Sequence, residues 1–345
     1  MTIVNTCPWL VIGIGAIGLT HAAVAPRQAP PVAEFLVHSI GMTPPEVRAI
    51  ERGEPVVRIL PTNESRDVAV FGIVVVKRSR AALSRALTDF PTALRAPGRT
   101  LGILNRPPTP SDFSGIVVTS RESRMLRTCR PGDCDLKLAA NDMAAVRTLL
   151  RETGDSVQAT AFERRRLADV ASAYLEIGNR GMPTYDDFQN RSVRGNVAFS
   201  ALLSAAPDLY GYAPGLRNYL ASYPHAHLDA SHDVLYWARD EISGLQPITT
   251  LNHRVVYTPS DIAGVTVEAT KQVLANHFLE AGLEVLIVVD RANVPSSAYW
   301  MLLRRYRFDQ MPKKFMFSLR GRVTAKLREQ AAADLLRARA GGRHD

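Results

Sequence analysis

Apolar positions along the chain follow two rhythms. Glu54 to Leu60 and Asp67 to Lys77 alternate as strands around the turn Pro61-Thr62-Asn63-Glu64-Ser65, the pattern of a hairpin. In the second strand both parities are apolar, Val68, Val70, Val74 and Val76 against Ala69, Phe71, Ile73 and Val75, which predicts cover on both faces. Ser79 to Phe90 then takes helical spacing, with Ser79 as N-cap and Ala82, Leu83, Ala86, Leu87 and Phe90 on one face. A short helix around Pro44 to Arg52, a brief strand at Thr100 to Leu104 and a hairpin at Cys129 to Leu138 complete the first part.

Residues 139–243 change character. Helices are predicted at Asp142 to Glu152, Ala159 to Ile177, Asp186 to Ala206, Gly215 to Ser222 and His232 to Ile242, with Pro183, Pro207, Pro214 and Pro224 punctuating them. From Ile248 the strand rhythm returns in Ile248 to Tyr257, Val265 to Phe278, Leu283 to Asp290 and Ser297 to Phe308, which short turns join into an antiparallel meander. The last element is a helix, Lys313 to Arg339, with Phe315, Leu319, Val323, Leu327, Ala331 and Leu335 recurring every four residues. No repeat or low-complexity tract stands out.

Two strands, a helix, an insert, a four-stranded meander and one long terminal helix is an order that resembles the START-like or helix-grip proteins, also called the polyketide-cyclase-like superfamily. The resemblance covers residues 54–105 and 248–340, with the helical region as an unusually large insertion. It implies a C-terminal helix lying across a curved antiparallel sheet and closing a cavity for lipid or another apolar molecule. That superfamily has no specific motif, so no catalytic or ligand residue carries over. The expected fold is α+β: a curved antiparallel sheet with a long C-terminal helix and a helical insert at 139–243, in a domain spanning 54–340. A linker with a short helix precedes it at 26–53 and a disordered tail follows at 341–345.

Composition adds a compartment. Hydrophobic residues make up 46% and charged residues 22% of the 345, as in ordinary globular proteins. Residues 8–25, PWLVIGIGAIGLTHAAVA, are uncharged and end in small residues before a proline-rich stretch, the outline of a secretory signal peptide over 1–25. The first seven residues lack Lys and Arg, so an uncleaved anchor competes with it. Gly13-Ile14-Gly15-Ala16-Ile17-Gly18 matches a dinucleotide-binding pattern, but Pro26, Pro30 and Pro31 deny it the helix that must follow. Cys129-Arg130-Pro131-Gly132-Asp133-Cys134 can close a disulfide around a Pro-Gly turn, which requires an oxidising compartment; two free thiols or half of a metal site are the other readings. A periplasmic or secreted protein is the result. Its net charge of +9 then points to anionic lipid or envelope polymer, or is merely dispersed and keeps the protein soluble, and nucleic acid is not expected.

Candidate chemistry follows from parity. His253 and Tyr257 share the apolar parity of Leu251 and Val255, and Lys271 and His277 share that of Val265, Val267 and Ala269. These four form the candidate ligand-binding set, unless a β-bulge near Lys271 swings its ammonium into water. His225, His227 and His232, with Asp229 and Asp233, are the densest set of metal-capable residues, although His-x-His in a Pro-flanked loop is commonly solvated. No nucleophile elbow is present, and Asp186-Asp187, Asp240-Glu241 and Arg164-Arg165-Arg166 read as solvated helix faces. The C-terminal helix carries Lys313, Lys314, Arg320, Arg322, Lys326, Arg328, Arg337 and Arg339, enough to touch anionic head groups, or simply to complement the helix dipole. The reading is an exported binding or carrier protein for an apolar or lipid-like ligand, without a cofactor. A periplasmic metal hydrolase built on the three histidines and an envelope interaction module are the alternatives.

Overall fold

The first hairpin forms where the alternation places it, and the rest of the sheet grows from it. A computed structural model of the chain describes residues 25–90, 99–153, 155–189, 191–205, 207–240, 246–292, 294–309 and 316–341. The expected export signal lies outside these residues except for Ala25, as does the expected tail except for Gly341. Strands are β1 (Arg27–Gln28), β2 (Val56–Leu60), β3 (Asp67–Val76), β4 (Arg99–Ile103), β5 (Thr184–Phe188), β6 (Arg191–Arg194), β7 (His232–Asp240), β8 (Ile248–Tyr257), β9 (Ile262–Ala263), β10 (Val265–Ala275), β11 (Leu279–Asp290) and β12 (Ala298–Phe308). Helices are α1 (Val32–His38), α2 (Pro44–Glu51), α3 (Arg80–Thr88), α4 (Ser120–Thr128), α5 (Ala140–Thr153), α6 (Ser156–Ile177), α7 (Gly195–Ser204), α8 (Leu216–Ser222) and α9 (Met316–Ala340).

Eight strands build one antiparallel sheet in the order β2-β3-β12-β11-β10-β8-β7-β4. One face carries Phe71, Ile73, Leu251, Val255, Val285 and Met301 and packs against α1, α2, α6, α7 and α8 in the largest core cluster. The other face carries Val74, Val76, Leu286 and Val288 under Leu83 and Leu87 of α3, and Val68, Val70 and Leu302 under Ala331 and Leu327 of α9. Every residue of β3 is buried, as its doubly apolar alternation requires. At Gly72 a Cβ would lie 2.9 Å from Leu335 Cδ1, so glycine lets α9 approach the strand.

The sheet is curved, and the long reach between side chains on the α3/α9 face puts its concave side there. Edge residue Arg99 lies four strand positions from Glu284 on β11, about 19 Å in a flat sheet. Even so, Glu284 helps hold the Arg99 charge, and Arg99 acts on Tyr306 one strand further. Curling brings these side chains together over the concave surface.

Three expectations are corrected. His232–Asp240 is strand β7 and not a helix: Val234 to Ala238 are all buried, a short run that serves a doubly covered strand as well as a helix, and pairing with both β8 and β4 satisfies its backbone. The helix expected from Asp186 to Ala206 is the hairpin β5–β6 followed by α7. Asp186 accepts from the Gly132 amide through its carbonyl and from the Ala140 amide through Oδ2, so tertiary partners hold it extended. Cys129 to Leu138 forms a tight turn with a single bridge between Arg130 and Asp133 in place of a hairpin. Sequence reading also passed over α1, which lies in the stretch taken as linker, and α4, whose capping box joins Thr119 and Glu122.

Cys129 and Cys134 are joined by a disulfide. The Cys134 amide donates to Asp187, so the closed loop also pins the β5–β6 hairpin. Replacing both cysteines by serine is expected to cost about 2 kcal/mol in a urea melt, the loop-closure entropy of so short a ring. A midpoint equal to that of the oxidised wild type would contradict this.

Candidate functional site

Two polar centres lie on opposite faces of the sheet. The first contains half of the predicted ligand set. Lys271 and His253 are direct cross-strand partners on β10 and β8, and the register break falls just after them, between Gln272 and Leu274, so Lys271 stays inside. Both are buried, at 0% and 1% exposure, under the helical insert and on the face away from α9.

Lys271 Nζ donates to Tyr174 Oη at 3.2 Å and to Asn179 Oδ1, and sits 4.4 Å from the Phe199 ring centre. Its burial holds its pKa well below the ordinary lysine value. His253 Nδ1 lies 2.8 Å from Tyr174 Oη, and its Nε2 lies 3.2 Å from both Asp233 Oδ2 and Tyr219 Oη. Burial lowers the His253 pKa against the pull of Asp233. Burial also works against the Asp233 charge, but hydrogen bonds from His253 and Arg106 outweigh it and bring this carboxyl to about 2.

Tyr257 and His277 do not join them. Tyr257 donates to the Pro214 carbonyl at 3.2 Å, and His277 sits beyond the end of β10, its ring tilted 31° to that of Phe278 and its buried Nε2 without a hydrogen-bond partner. His225, His227 and His232 are exposed, while Asp229 accepts from Ser260 and Asp233 turns inward to His253. Among the described residues no group of three or more His, Cys, Asp or Glu side chains is placed to hold a metal ion.

The second centre is the concave face between α3 and α9, which sequence reasoning missed. Arg99 forks onto Asp240 at 2.8 and 3.2 Å. Arg304 bridges Glu284 at 3.1 Å and Asp334 of α9 at 2.5 Å, and Tyr306 donates to Glu284. Arg254 grips Glu268 with two bonds of 2.8 Å. Tyr236 stands among them, influenced by Arg99, Glu284 and Arg254. Two separate apolar patches lie on the same face, Leu101 with Ala238 at the β4–β7 edge and Leu286 with Trp300 in the middle of the sheet.

Solvent reaches this surface: the Glu284 side chain is 36% exposed, and Arg99 and Asp240 are each 30% exposed. Burial opposes the Glu284 charge, yet Arg304 and Tyr306 hold its pKa below the usual value. Burial raises the pKa of Tyr236 and Tyr306, and Glu284 raises that of Tyr306 further. Glu284 is therefore ionised and both phenols are neutral at pH 7, so none of the three is tuned for proton transfer there. The surface offers paired charges, two phenols and two apolar patches, an arrangement suited to holding a molecule. Its one sequence signal was a charged residue at the second parity of β8, β10, β11 and β12, namely Arg254, Glu268, Glu284 and Arg304. Alternation alone assigns such a parity to solvent.

Among the described residues, no helix is long and apolar enough to cross a membrane. No family model, no curated protein and no solved structure matches this chain.

Proposed function

We propose that the protein is an exported, non-catalytic binding protein of the helix-grip kind, which holds a lipid-like, amphipathic ligand on the concave sheet face between α3 and α9. The convergence of Arg99, Tyr236, Glu284 and Tyr306 from four different strands carries this reading, because distant residues gather over one solvent-reached surface. The half-buried Leu101 and Trp300 suit an apolar body. The head group should be uncharged or zwitterionic, since Arg99, Arg254 and Arg304 each already face a carboxylate and a free anion would have to displace one. The disulfide fits an oxidising compartment, and exposed Arg322, Lys326, Arg328, Arg337 and Arg339 on α9 favour exchange at an anionic membrane surface.

Native mass spectrometry of protein purified from an oxidising compartment, before and after organic extraction, tests the reading. A lipid-sized adduct that extraction removes is the expected result, with Glu284→Gln retaining at least tenfold less. A bare polypeptide mass for the wild type in both spectra would overturn it.

A further inference from the structure

The two ends of the eight-stranded sheet are finished differently. β2 lies between Pro55 and Pro61 and carries Arg58 in its middle, held by Glu46 of α2 at 2.6 Å. Proline and charge are common guards of an open strand edge, because they spoil it as a template for another strand. β4, at the other end, has neither proline nor bulge, and its one charge, Arg99, is taken up by Asp240 of β7.

One contact sets the hydrogen-bond phase of β4. The Leu104 amide donates to the Leu235 carbonyl at 2.9 Å, and the β4–β7 register continues from that pair without a shift. Bonded pairs alternate along an antiparallel ladder, so Gly102 and Thr100 turn their amides and carbonyls to β7. Arg99, Leu101 and Ile103 therefore turn theirs outward. Among the described residues no hydrogen bond reaches these outward groups, and Thr100 and Ile103 are exposed. The edge is symmetric about Leu101. A second β4 laid antiparallel across a two-fold axis there sets Leu101 against the partner's Leu101 and Arg99 against the partner's Ile103, and every outward amide meets an outward carbonyl.

We propose that β4 is a self-association edge: two copies of this chain pair β4 with β4 about Leu101, joining their sheets into one and placing the partner's Ile103 beside Arg99. The two-fold axis stands perpendicular to the sheet, so both concave faces end on the same side. Arg99, Leu101 and Ile103 share the parity of Asp240, Ala238 and Tyr236, which puts the partner's Leu101 and Ile103 along the rim of the concave surface. The half-buried Leu101 gains apolar cover there. Pairing uses backbone groups and forms whether or not the concave face holds a ligand. Five residues a side bury far less than the about 1,200 Å² of a lasting interface, so the dimer is reversible and follows concentration.

Sedimentation equilibrium of the full chain is expected to pass from monomer to dimer between about 10 µM and about 1 mM, the range of a small reversible interface. Leu101→Pro should raise the dissociation constant at least tenfold and still fold, because the amide it removes points away from β7. Ile103→Lys, which sets a cation against the partner's Arg99, should do the same and decides the matter if Leu101→Pro fails to fold. Residue-resolved hydrogen exchange locates the contact: the Leu101 and Ile103 amides should gain at least tenfold protection at the high concentration, while Thr100 and Gly102, already bonded to β7, change far less. A wild type that stays monomeric throughout, a dimer that gives Leu101 and Ile103 no added protection, or one that Leu101→Pro and Ile103→Lys leave intact would each overturn the proposal.

Discussion

Gly178→Ala is expected to destabilise the protein by more than about 4 kcal/mol and to lower its Tm by on the order of 10 °C. Gly178 ends α6 at φ 58 and ψ −132, a conformation open essentially to glycine alone. A Cβ there would lie 1.6 Å from the Tyr223 carbonyl oxygen and 2.7 Å from its carbon, so the backbone after α8 would have to move bodily. That backbone carries Tyr223, whose ring stacks on Tyr174 at 5.2 Å and covers His253 at 4.4 Å, so the displacement spreads into the buried centre. Gly41→Ala is the matched control. Gly41 also has positive φ, at 73, but nothing lies within 4 Å of its missing Cβ, and a loss of only about 1 kcal/mol is expected. Thermal melts of the two variants separate the steric part from the conformational one. Equal losses would mean that the close approach of residues 178 and 223 is not a determinant of the fold.

Arg254→Ala is the second large effect, expected at about 3–5 kcal/mol in guanidinium unfolding. Its guanidinium is 1% exposed, forks onto Glu268 at 2.8 Å, donates to the Leu87 carbonyl at 3.0 Å and lies 4.7 Å from the Phe90 ring centre. One side chain thus ties the C-terminal end of α3 to the middle of the sheet. Truncation leaves the Glu268 carboxylate, itself only 18% exposed, without its cation, and that desolvated charge supplies most of the cost. The double variant Arg254→Met with Glu268→Met should recover a large part of the stability, because it removes the unpaired charge and keeps the volume. Arg254→Lys should fall between the two, since an ammonium cannot reproduce the fork. A loss below 1 kcal/mol for Arg254→Ala would mean that the pair is solvated and α3 is held by Leu83 and Leu87 alone.

Where local rules act alone, the sequence was legible. Pro61 to Ser65 between two β-rich runs determines the first hairpin, and Ser79, whose hydroxyl accepts from the Ala82 amide, determines where α3 begins. The Pro-Gly turn brings Cys129 to Cys134, and the doubly apolar β3 announces a strand covered on both sides. Shared parity likewise predicted that Lys271 and His253 lie on one face, because side chains alternate along any strand whatever covers it.

Tertiary structure alone decided the rest. Val234 to Ala238 is too short and too uniformly apolar for its period to distinguish helix from strand, and the open edges of β8 and β4 settle it as β7. Asp186 and Asp187 became strand because the disulfide loop needed acceptors for its amides. Parity separates two faces without saying what lies on each. The apolar parity went to the helical insert, and α9 took the opposite face, which carries Arg254, Glu268, Glu284 and Arg304. Nor can alternation report curvature: Arg99 comes within electrostatic reach of Glu284 and Tyr306 because the sheet curls, and curl is a property of eight paired strands together, absent from any one of them.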